Sequence, residues 1–325
     1  MTPLTPSPRR EERGAGIVVL GTGALGSLFG ARLAQAGARV TLVGTWPEAL
    51  AVVATRGIRV DDPGESALAR VASARLDQPL TPADFVLVLV KSHQTLGIAA
   101  AAAAAVAPRG LIVTLQNGLG NREALESAAG QQRVAVGVVT AGATLLAPGH
   151  VRAQPGNVAL GSTAATRRRL SRFATLLRRA GFETQLSDDI ERLVWRKLAV
   201  NCAINPLSVV RAAANGALLP RAEDRELLAQ AAREVAAVAR ARGVDLHVDA
   251  ARLAWDVAAR TADNRSSMLQ DVDRDAPTEI DALNGAVVRE GRRLGVPTPV
   301  NEWLCAEVLR HTRVPQAQPL EPIPL

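Results

Sequence analysis

Residues 16–30 of this chain, GIVVLGTGALGSLFG, decide its fold. The apolar run before Gly21 is typical of a short buried strand, and the apolar spacing after it predicts a helix that ends at Gly37. A second apolar run, residues 38–44, predicts the next strand. Strand, helix and strand in this order begin a βαβ unit, so we expect an α/β fold with a parallel sheet.

The glycines of this stretch have the G-x-G-x-x-G spacing of dinucleotide-binding loops. Gly21 would form the tight turn, Gly23 would let a pyrophosphate approach the backbone, and Gly26 would let helix and strand pack closely. The helix N-terminus adds free N–H groups and a positive dipole end. The pattern therefore predicts a Rossmann-type domain that binds NAD or NADP. The loop residues expected at the cofactor are Gly21, Thr22, Gly23, Ala24, Leu25 and Gly26.

The end of the second strand is expected to contact the adenosine ribose of the cofactor. An acidic residue there favours NAD through the 2′-hydroxyl, and an Arg favours NADP. This chain has Val43-Gly44-Thr45-Trp46, which is neither acidic nor basic. The missing acid favours NADP(H), NAD(H) stays open, and Thr45 is a predicted cofactor contact.

Apolar runs continue the α/β pattern to about residue 186, and we expect a hairpin turn at Gly156-Asn157. Beyond residue 187 the spacing is helical almost throughout. The predicted strands are residues 84–90, 111–116, 133–146, 150–161 and 182–186, and the predicted helices after residue 94 are 95–107, 188–210, 221–242, 247–263 and 277–294.

The change of pattern near residue 186 predicts two domains between short ends. The first 13 residues contain three Pro and no periodicity, so we expect them to be disordered. The predicted parts are a disordered leader (1–13), an NAD(P)-binding Rossmann-like domain (14–186), an all-helical substrate domain (187–313) and a C-terminal tail (314–325).

Composition excludes several classes of protein. Hydrophobic residues make up 48% and charged residues 21% of the chain, which is typical of a globular protein. The net charge of +7 comes from Arg residues that are scattered along the chain. Only 2% of the residues are aromatic, so few side chains could stack on the bases of a nucleic acid. We therefore expect no nucleic-acid partner. No run reaches about 18 strongly apolar residues, so we expect no membrane span. Two distant Cys indicate a reducing compartment such as the cytoplasm, and four dispersed His indicate no metal site.

Lysine is rare in this chain: of 38 basic residues, 36 are Arg and two are Lys, Lys91 and Lys197. A position that keeps Lys among so many Arg is a candidate for chemistry that Arg cannot perform, such as proton donation, although chance survival stays open. Lys91 ends a predicted strand and Asn117 ends the next, and ligands bind outside the carboxyl ends of such strands. Asn117 precedes Gly118, so a simple Asn-Gly turn is the alternative there.

Lys197, Asn201 and Asn205 recur every four residues and so share one face of a predicted helix. Polar groups on a buried face need partners, which a bound polar molecule would supply. A solvated face is the alternative, but it would normally carry charges. We therefore predict a ligand-binding face.

Residues 264–281 contain the last candidate group. Ser267 and Glu279 would meet a carboxylate and a hydroxyl of a substrate. Alternatively, Thr278 caps a helix, Asp281 completes the capping box, and Glu279 only favours the helix dipole. The spacing alone leaves both interpretations open.

Taken together, these motifs resemble the ketopantoate reductase (2-dehydropantoate 2-reductase) family over residues 15–313. The resemblance implies NADPH-dependent reduction of 2-dehydropantoate to (R)-pantoate, on the pantothenate route to coenzyme A. The motifs that carry it are GTGALGSLFG (21–30), VKSHQT (90–95), LQNGLGN (115–121), VWRKLAVNCAINPL (194–207), SSMLQD (266–271) and PTEIDALNG (277–285).

The same resemblance implies roles for individual residues. Lys197 resembles the general acid, and Glu279 the carboxylate that binds the hydroxyl region of the substrate. Asn117 and Lys91 match positions near the nicotinamide and the ketone. Asn201 and Asn205 match substrate-binding asparagines, and Ser267 matches a serine that holds the substrate carboxylate.

One departure from the family pattern concerns the cofactor. Many relatives carry an Arg in the region where this chain has Thr45, and that Arg binds the 2′-phosphate of NADP. Thr45 adds no charge there, which weakens the expected preference for NADP. A reductase of another 2-keto acid and a non-catalytic NADP-binding regulator are the alternative functions. A monomer and a homodimer are both compatible with the sequence.

Overall fold

The computed structural model describes residues 14–312, so the predicted leader (1–13) and tail (314–325) lie outside the described residues. The chain forms two compact units. The first contains residues 14–90, 97–115 and 125–187, and the second contains residues 91–96, 116–124 and 188–312. Two short segments from the first half of the chain thus belong to the second unit.

The first unit is built on a twisted sheet of eight strands in the order β12-β11-β8-β7-β6-β1-β2-β5. Neighbouring strands are parallel except β8 and β11. A smaller sheet has the order β4-β3-β10-β9. The strands are β1 (Gly16–Leu20), β2 (Arg39–Gly44), β3 (Ile58–Asp62), β4 (Glu65–Ala69), β5 (Ala72–Arg75), β6 (Ala83–Val88), β7 (Val106–Thr114), β8 (Val134–Val139), β9 (Gly142–Ala147), β10 (His150–Gln154), β11 (Asn157–Gly161) and β12 (Glu183–Ser187).

The first strand shows why its apolar run is continuous. Ile17 and Val19 pack into one apolar cluster, and Val18 and Leu20 pack into another. Successive strand side chains point to opposite faces, so a sheet covered on both faces needs apolar residues at every position. The helices of this unit are α1 (Ala24–Gln35), α2 (Pro47–Arg56), α3 (Thr95–Ala105), α4 (Asn121–Ala129) and α5 (Arg167–Arg179), with α3 and α4 beginning in segments of the second unit.

The predicted hairpin at Gly156-Asn157 is wrong. β10 and β11 belong to different sheets, and the antiparallel turn lies between β9 and β10, at Pro148-Gly149. A Cβ atom on Gly156 would collide with the backbone of Ala141, because two chain segments cross there on their way between the sheets. Glycine is needed at this crossing and not at a turn. The smaller sheet, with β3 and β4, was not predicted either.

The second unit is helical, with a core around the buried Trp195. The predicted helix at 277–294 begins only at Asp281, and its first turn, Asp281–Gly285, is a π-helix. Thr278 is therefore not the cap, because the residue before the helix is Ile280. The α-helices of this unit are α6 (Ile190–Val210), α7 (Ala222–Ala241), α8 (Ala250–Arg260), α9 (Ser267–Asp273), α10 (Ala286–Leu294) and α11 (Pro299–His311).

A buried amide supports the proline inside α6. Pro206 has no N–H, so the carbonyl of Cys202, four residues earlier, lacks its helical donor. The side chain of Asn284 donates to that carbonyl at 2.9 Å and also to the Asn301 side-chain oxygen at 2.9 Å. Both Asn side chains are fully buried. These bonds join α6, the π-helical turn and α11 around the helix that carries Lys197.

Candidate active site

The glycine loop of the first unit has the geometry that its sequence predicts. Gly21 has φ +125°, and its N–H donates to the Val43 carbonyl at 2.8 Å. A Cβ atom on Gly21 would lie 2.7 Å from the Leu89 carbonyl oxygen, so only glycine fits that turn. A Cβ on Gly26 would collide with the carbonyl of Gly21, so this glycine lets the start of α1 lie against the loop.

Gly23 differs from Gly21 and Gly26 because the space where its side chain would lie is open. No atom of the described residues lies within 4 Å of a Cβ placed there. Gly23 precedes the first residue of α1, whose N-terminal N–H groups have no helical acceptors. The loop therefore offers space and free donors to an anionic group, which fits the pyrophosphate of a dinucleotide.

Thr45 and Trp46 follow β2 and are exposed. The adjacent strand β5 ends at Arg75, whose backbone pairs in register with Gly44. The Arg75 guanidinium donates to both carboxylate oxygens of Asp77, at 3.0 and 2.7 Å. The ion pair of Arg75 and Asp77 thus lies at the carboxyl end of β5, next to the end of β2, where Thr45 carries no charge.

Lys91 anchors the polar cluster of the second unit. Its Nζ lies 2.6 Å from Oδ2 of Asp271 and 3.9 Å from Oε2 of Glu279. Burial alone would lower the pKa of Lys91, but the charges of Glu279 and Asp271 outweigh it and raise that pKa. Burial raises the pKa of Asp271, which the ammonium of Lys91 only partly offsets. Lys91 is therefore a stable cation between two carboxyl groups.

Glu279 is buried and heavily hydrogen-bonded, so it is more than a residue favouring a helix dipole. Its Oε1 accepts the Ser92 backbone N–H at 3.0 Å, and its Oε2 accepts the Asn117 amide at 3.2 Å. Burial would raise the pKa of Glu279, but Lys91 and the bonds from Ser92 and Asn117 lower it. The group is a carboxylate at neutral pH. Gly118 has φ +81°, a conformation that glycine favours, and the chain bends directly after Asn117.

A second layer of buried polar groups holds Ser92 and Asn117 in place. The Asn121 amide donates to the Asn117 carbonyl at 2.8 Å, and its oxygen accepts the Thr95 hydroxyl at 2.7 Å. Thr95 in turn accepts the Gln116 amide at 2.8 Å. Thr95 and Asn121 are almost fully buried, so this network fixes both loops of the cluster.

Lys197 lies on α6 with Asn201 and Asn205, as the four-residue spacing predicts. Burial lowers the pKa of Lys197 to about 8, against the opposing charge of Glu279. The Asn205 side chain is buried, whereas Asn201 is partly exposed. Lys197 is thus an ammonium that can release its proton within the ordinary pH range.

Ser267 is exposed as the first residue of α9, and Ser266 is the cap that accepts the Leu269 N–H at 3.1 Å. Asp271 lies one helical turn beyond Ser267, on the same face. No role for Asp271, Ser92 or Asn121 was predicted from the sequence. Each lies inside a motif quoted above, and an acid four residues after Ser267 was the available signal for Asp271.

Among residues 14–312, no three His, Cys, Asp or Glu side chains are grouped so that they could hold a metal ion. In the same part of the chain, no helix is long and apolar enough to span a bilayer.

Comparison with known families decides the assignment. The family model described as "Ketopantoate reductase PanE/ApbA" matches residues 17–165, and its C-terminal counterpart matches residues 189–311. The chain belongs to the ketopantoate reductase family. The predicted family and the predicted fold class, a Rossmann-type domain with a helical C-terminal domain, are confirmed, and the chain is an oxidoreductase of this family.

Individual relatives agree with the family. The chain is 38% identical to a 2-dehydropantoate 2-reductase of Halobacterium salinarum, over 90% of this chain and 97% of the relative. It is 34% identical to one of Archaeoglobus fulgidus, over 89% and 95%. A solved ketopantoate reductase of Ralstonia eutropha superposes with a TM-score of 0.83 at 33% identity, over 91% of this chain and 98% of that one. D-Mandelate dehydrogenase with NADH and anilino(oxo)acetate shares the fold, with a TM-score of 0.86 at 24% identity over 91% and 97%.

Proposed function

We propose that this chain reduces 2-dehydropantoate to (R)-pantoate with NADPH, a step toward pantothenate and coenzyme A. The observation that carries the proposal is the position of Lys197, which shares one face of α6 with Asn201 and Asn205. Burial, opposed by the charge of Glu279, lowers the pKa of Lys197 to about 8. The relatives named 2-dehydropantoate 2-reductase, at 38% and 34% identity, support the substrate.

In this proposal residues 21–26 would hold the pyrophosphate of the dinucleotide, and the nicotinamide, when bound, would supply the hydride that reduces the keto carbon. The carbonyl oxygen then gains negative charge. Lys197 stabilises that charge and donates the proton that completes the alcohol. An Arg at this position would stabilise charge but keep its proton near neutral pH.

The other polar residues of the helical unit bind and orient the substrate. Glu279 accepts a hydrogen bond from a substrate hydroxyl, and it can do so at neutral pH because its low pKa keeps it ionised. Asn201 and Asn205 offer amides from the same helix as Lys197. Ser267 binds the substrate carboxylate. Lys91 and Asn117 lie near the nicotinamide and the bound ketone in this proposal, and Asn117 also binds the substrate.

The cofactor preference is part of the proposal. NADPH is favoured because the two residues directly after β2, Thr45 and Trp46, include no acid of the kind that would select NADH. D-Mandelate dehydrogenase, which shares the fold, was solved with NADH, so the scaffold accommodates that cofactor in another protein. We also propose that residues 14–186 form the cofactor domain and residues 187–313 the substrate domain.

The test is a steady-state assay of NADPH and NADH oxidation with 2-dehydropantoate and a panel of other 2-keto acids. We expect the highest kcat/KM for 2-dehydropantoate with NADPH. A higher kcat/KM for another 2-keto acid would assign the chain to that substrate instead. Cofactor binding without turnover of any keto acid would identify a non-catalytic regulator.

A further inference from the structure

The turn after β5 places a charged pair beside the expected position of the cofactor's adenosine ribose. β2 ends at Gly44 and is followed by Thr45, with no charge of either sign. In a dinucleotide-binding unit, an acid or an Arg at this point separates NADH from NADPH. If this chain discriminates by charge, the charge comes from another element.

β5 is the element that brings such a charge to this edge. It runs parallel to β2 as the edge strand, and Arg75 pairs with Gly44 in register. Neighbouring strands lie about 4.8 Å apart, so the Arg75 backbone is one strand spacing from the last residue of β2. The Leu76 N–H donates to the Gly44 carbonyl at 3.0 Å and fastens the turn there.

Two other arginines, one on β2 and one on β3, are held elsewhere. Arg39 is the first residue of β2, at the end of the strand opposite Gly44, and its Nε donates to the Gly14 carbonyl at 3.0 Å. Arg59 lies in the smaller sheet and pairs with Asp61 at 2.9 Å. Arg75 is the guanidinium whose strand ends beside Gly44.

The chemistry of the pair fits a phosphate ligand. A guanidinium binds two phosphate oxygens at once, in the same forked manner in which Arg75 now binds Asp77. The side chains of Arg75 and Asp77 are 57% and 63% exposed. An exposed ion pair contributes little to stability, so Arg75 can exchange Asp77 for a phosphate at small cost.

We propose that Arg75 selects NADPH by binding the 2′-phosphate, in place of an Arg after β2, and that Asp77 competes with the phosphate for the guanidinium. This inference rests on the proposed function only in requiring that residues 21–26 bind a dinucleotide. It is independent of the identity of the keto acid.

The test is direct titration of the full chain with NADPH and with NADH, by nicotinamide fluorescence or calorimetry. Arg75→Ala should raise the Kd for NADPH roughly tenfold to a hundredfold, the range of one lost charge-assisted contact. The Kd for NADH should stay within about twofold, well below the tenfold that 1.4 kcal/mol represents. Arg168→Ala removes the same charge from an exposed position on α5 and should change neither value.

Two further variants sharpen the result. Asp77→Asn should tighten NADPH binding and leave NADH binding unchanged, because the phosphate no longer competes with a carboxylate. Thr45→Arg in the Arg75→Ala background should restore NADPH binding, because it places a guanidinium directly after β2, where an Arg accommodates the 2′-phosphate.

The inference is overturned if Arg75→Ala weakens both cofactors equally or neither. It is also overturned if Asp77→Asn weakens NADH, which would assign the turn to the 2′-hydroxyl of NADH. If neither cofactor binds the unmodified chain, the proposed function itself fails, and this result is distinct from the first two.

Discussion

The Glu279 carboxylate accepts the backbone N–H of Ser92 at 3.0 Å, across 187 residues of sequence. A backbone donor cannot swing away, so this bond fixes one carboxylate oxygen relative to the loop that carries Lys91. The other oxygen accepts the Asn117 amide and lies 3.9 Å from the Lys91 ammonium. Glu279 is thus an ionised acceptor of fixed orientation.

Replacing Lys197 removes the proposed proton donor. Lys197→Met and Lys197→Arg should both lower kcat by about 10²–10⁴-fold, the usual contribution of a general acid. Steady-state turnover of 2-dehydropantoate measures the effect, with thermal unfolding of the same samples as a check on folding. Arg196→Lys, a change at the preceding residue of α6, is the control and should keep most of the turnover. Near-normal turnover in Lys197→Arg would contradict proton donation.

The pH profile should reflect the same lysine. The pKa of Lys197 is lowered to about 8, and only the protonated amine can donate. We therefore expect kcat to be constant below this pH and to fall as the pH rises through about 8. The measurement is kcat at saturating substrate and cofactor across that range. A profile that stays flat well above pH 8 would exclude Lys197 as the titrating acid.

Glu279→Gln should move that profile. The negative charge of Glu279 raises the pKa of Lys197, so its removal lets burial lower the pKa further. The fall in kcat should then begin at lower pH, in addition to any loss of turnover. Gln keeps the size of the side chain and an oxygen for the Ser92 N–H. Glu290→Gln on α10, where Glu290 pairs with Arg242 and Arg293, is the control and should leave the profile in place. An unchanged profile in Glu279→Gln would show that the two groups do not interact.

Asn284→Ala should destabilise the helical unit. It leaves the Cys202 carbonyl without a donor inside the core, which costs about 1–3 kcal/mol of the free energy of unfolding. Pro206→Ala should recover part of that cost in the Asn284→Ala background, because the new residue returns an N–H to the same carbonyl. Denaturant unfolding of the two single variants and the double variant gives the coupling energy. Purely additive losses would show that Asn284 does not serve this carbonyl.

The parts of the fold that were predicted correctly are those determined by residues close together in sequence. The β1–α1–β2 unit follows from an apolar run and three glycines whose steric roles are short-range. β3 and β4 were missed because they are strands of only five residues in a small sheet, and most residues of β4 are exposed. Gly156 was assigned to a turn because a glycine at a strand crossing looks the same in sequence.

Only the part of the candidate site that lies on a single helix was predictable from residue spacing. Lys197, Asn201 and Asn205 share one helix, so their spacing alone places them on one face. The interpretation of Glu279 stayed open because its partners, Ser92 and Asn117, are far away in sequence. Asp271 was missed although it lies one helical turn after Ser267, because its partner Lys91, at 2.6 Å, is far away in sequence.

The segments 91–96 and 116–124 come from the first half of the chain but belong to the helical unit. A recombination event that joined two homologues between residues 187 and 188 would look like a clean exchange of domains. It would nevertheless combine Glu279 of one parent with Ser92 and Asn117 of the other. Substitutions at these three positions are therefore expected to covary, although Ser92 and Asn117 lie in the first half of the chain and Glu279 in the second.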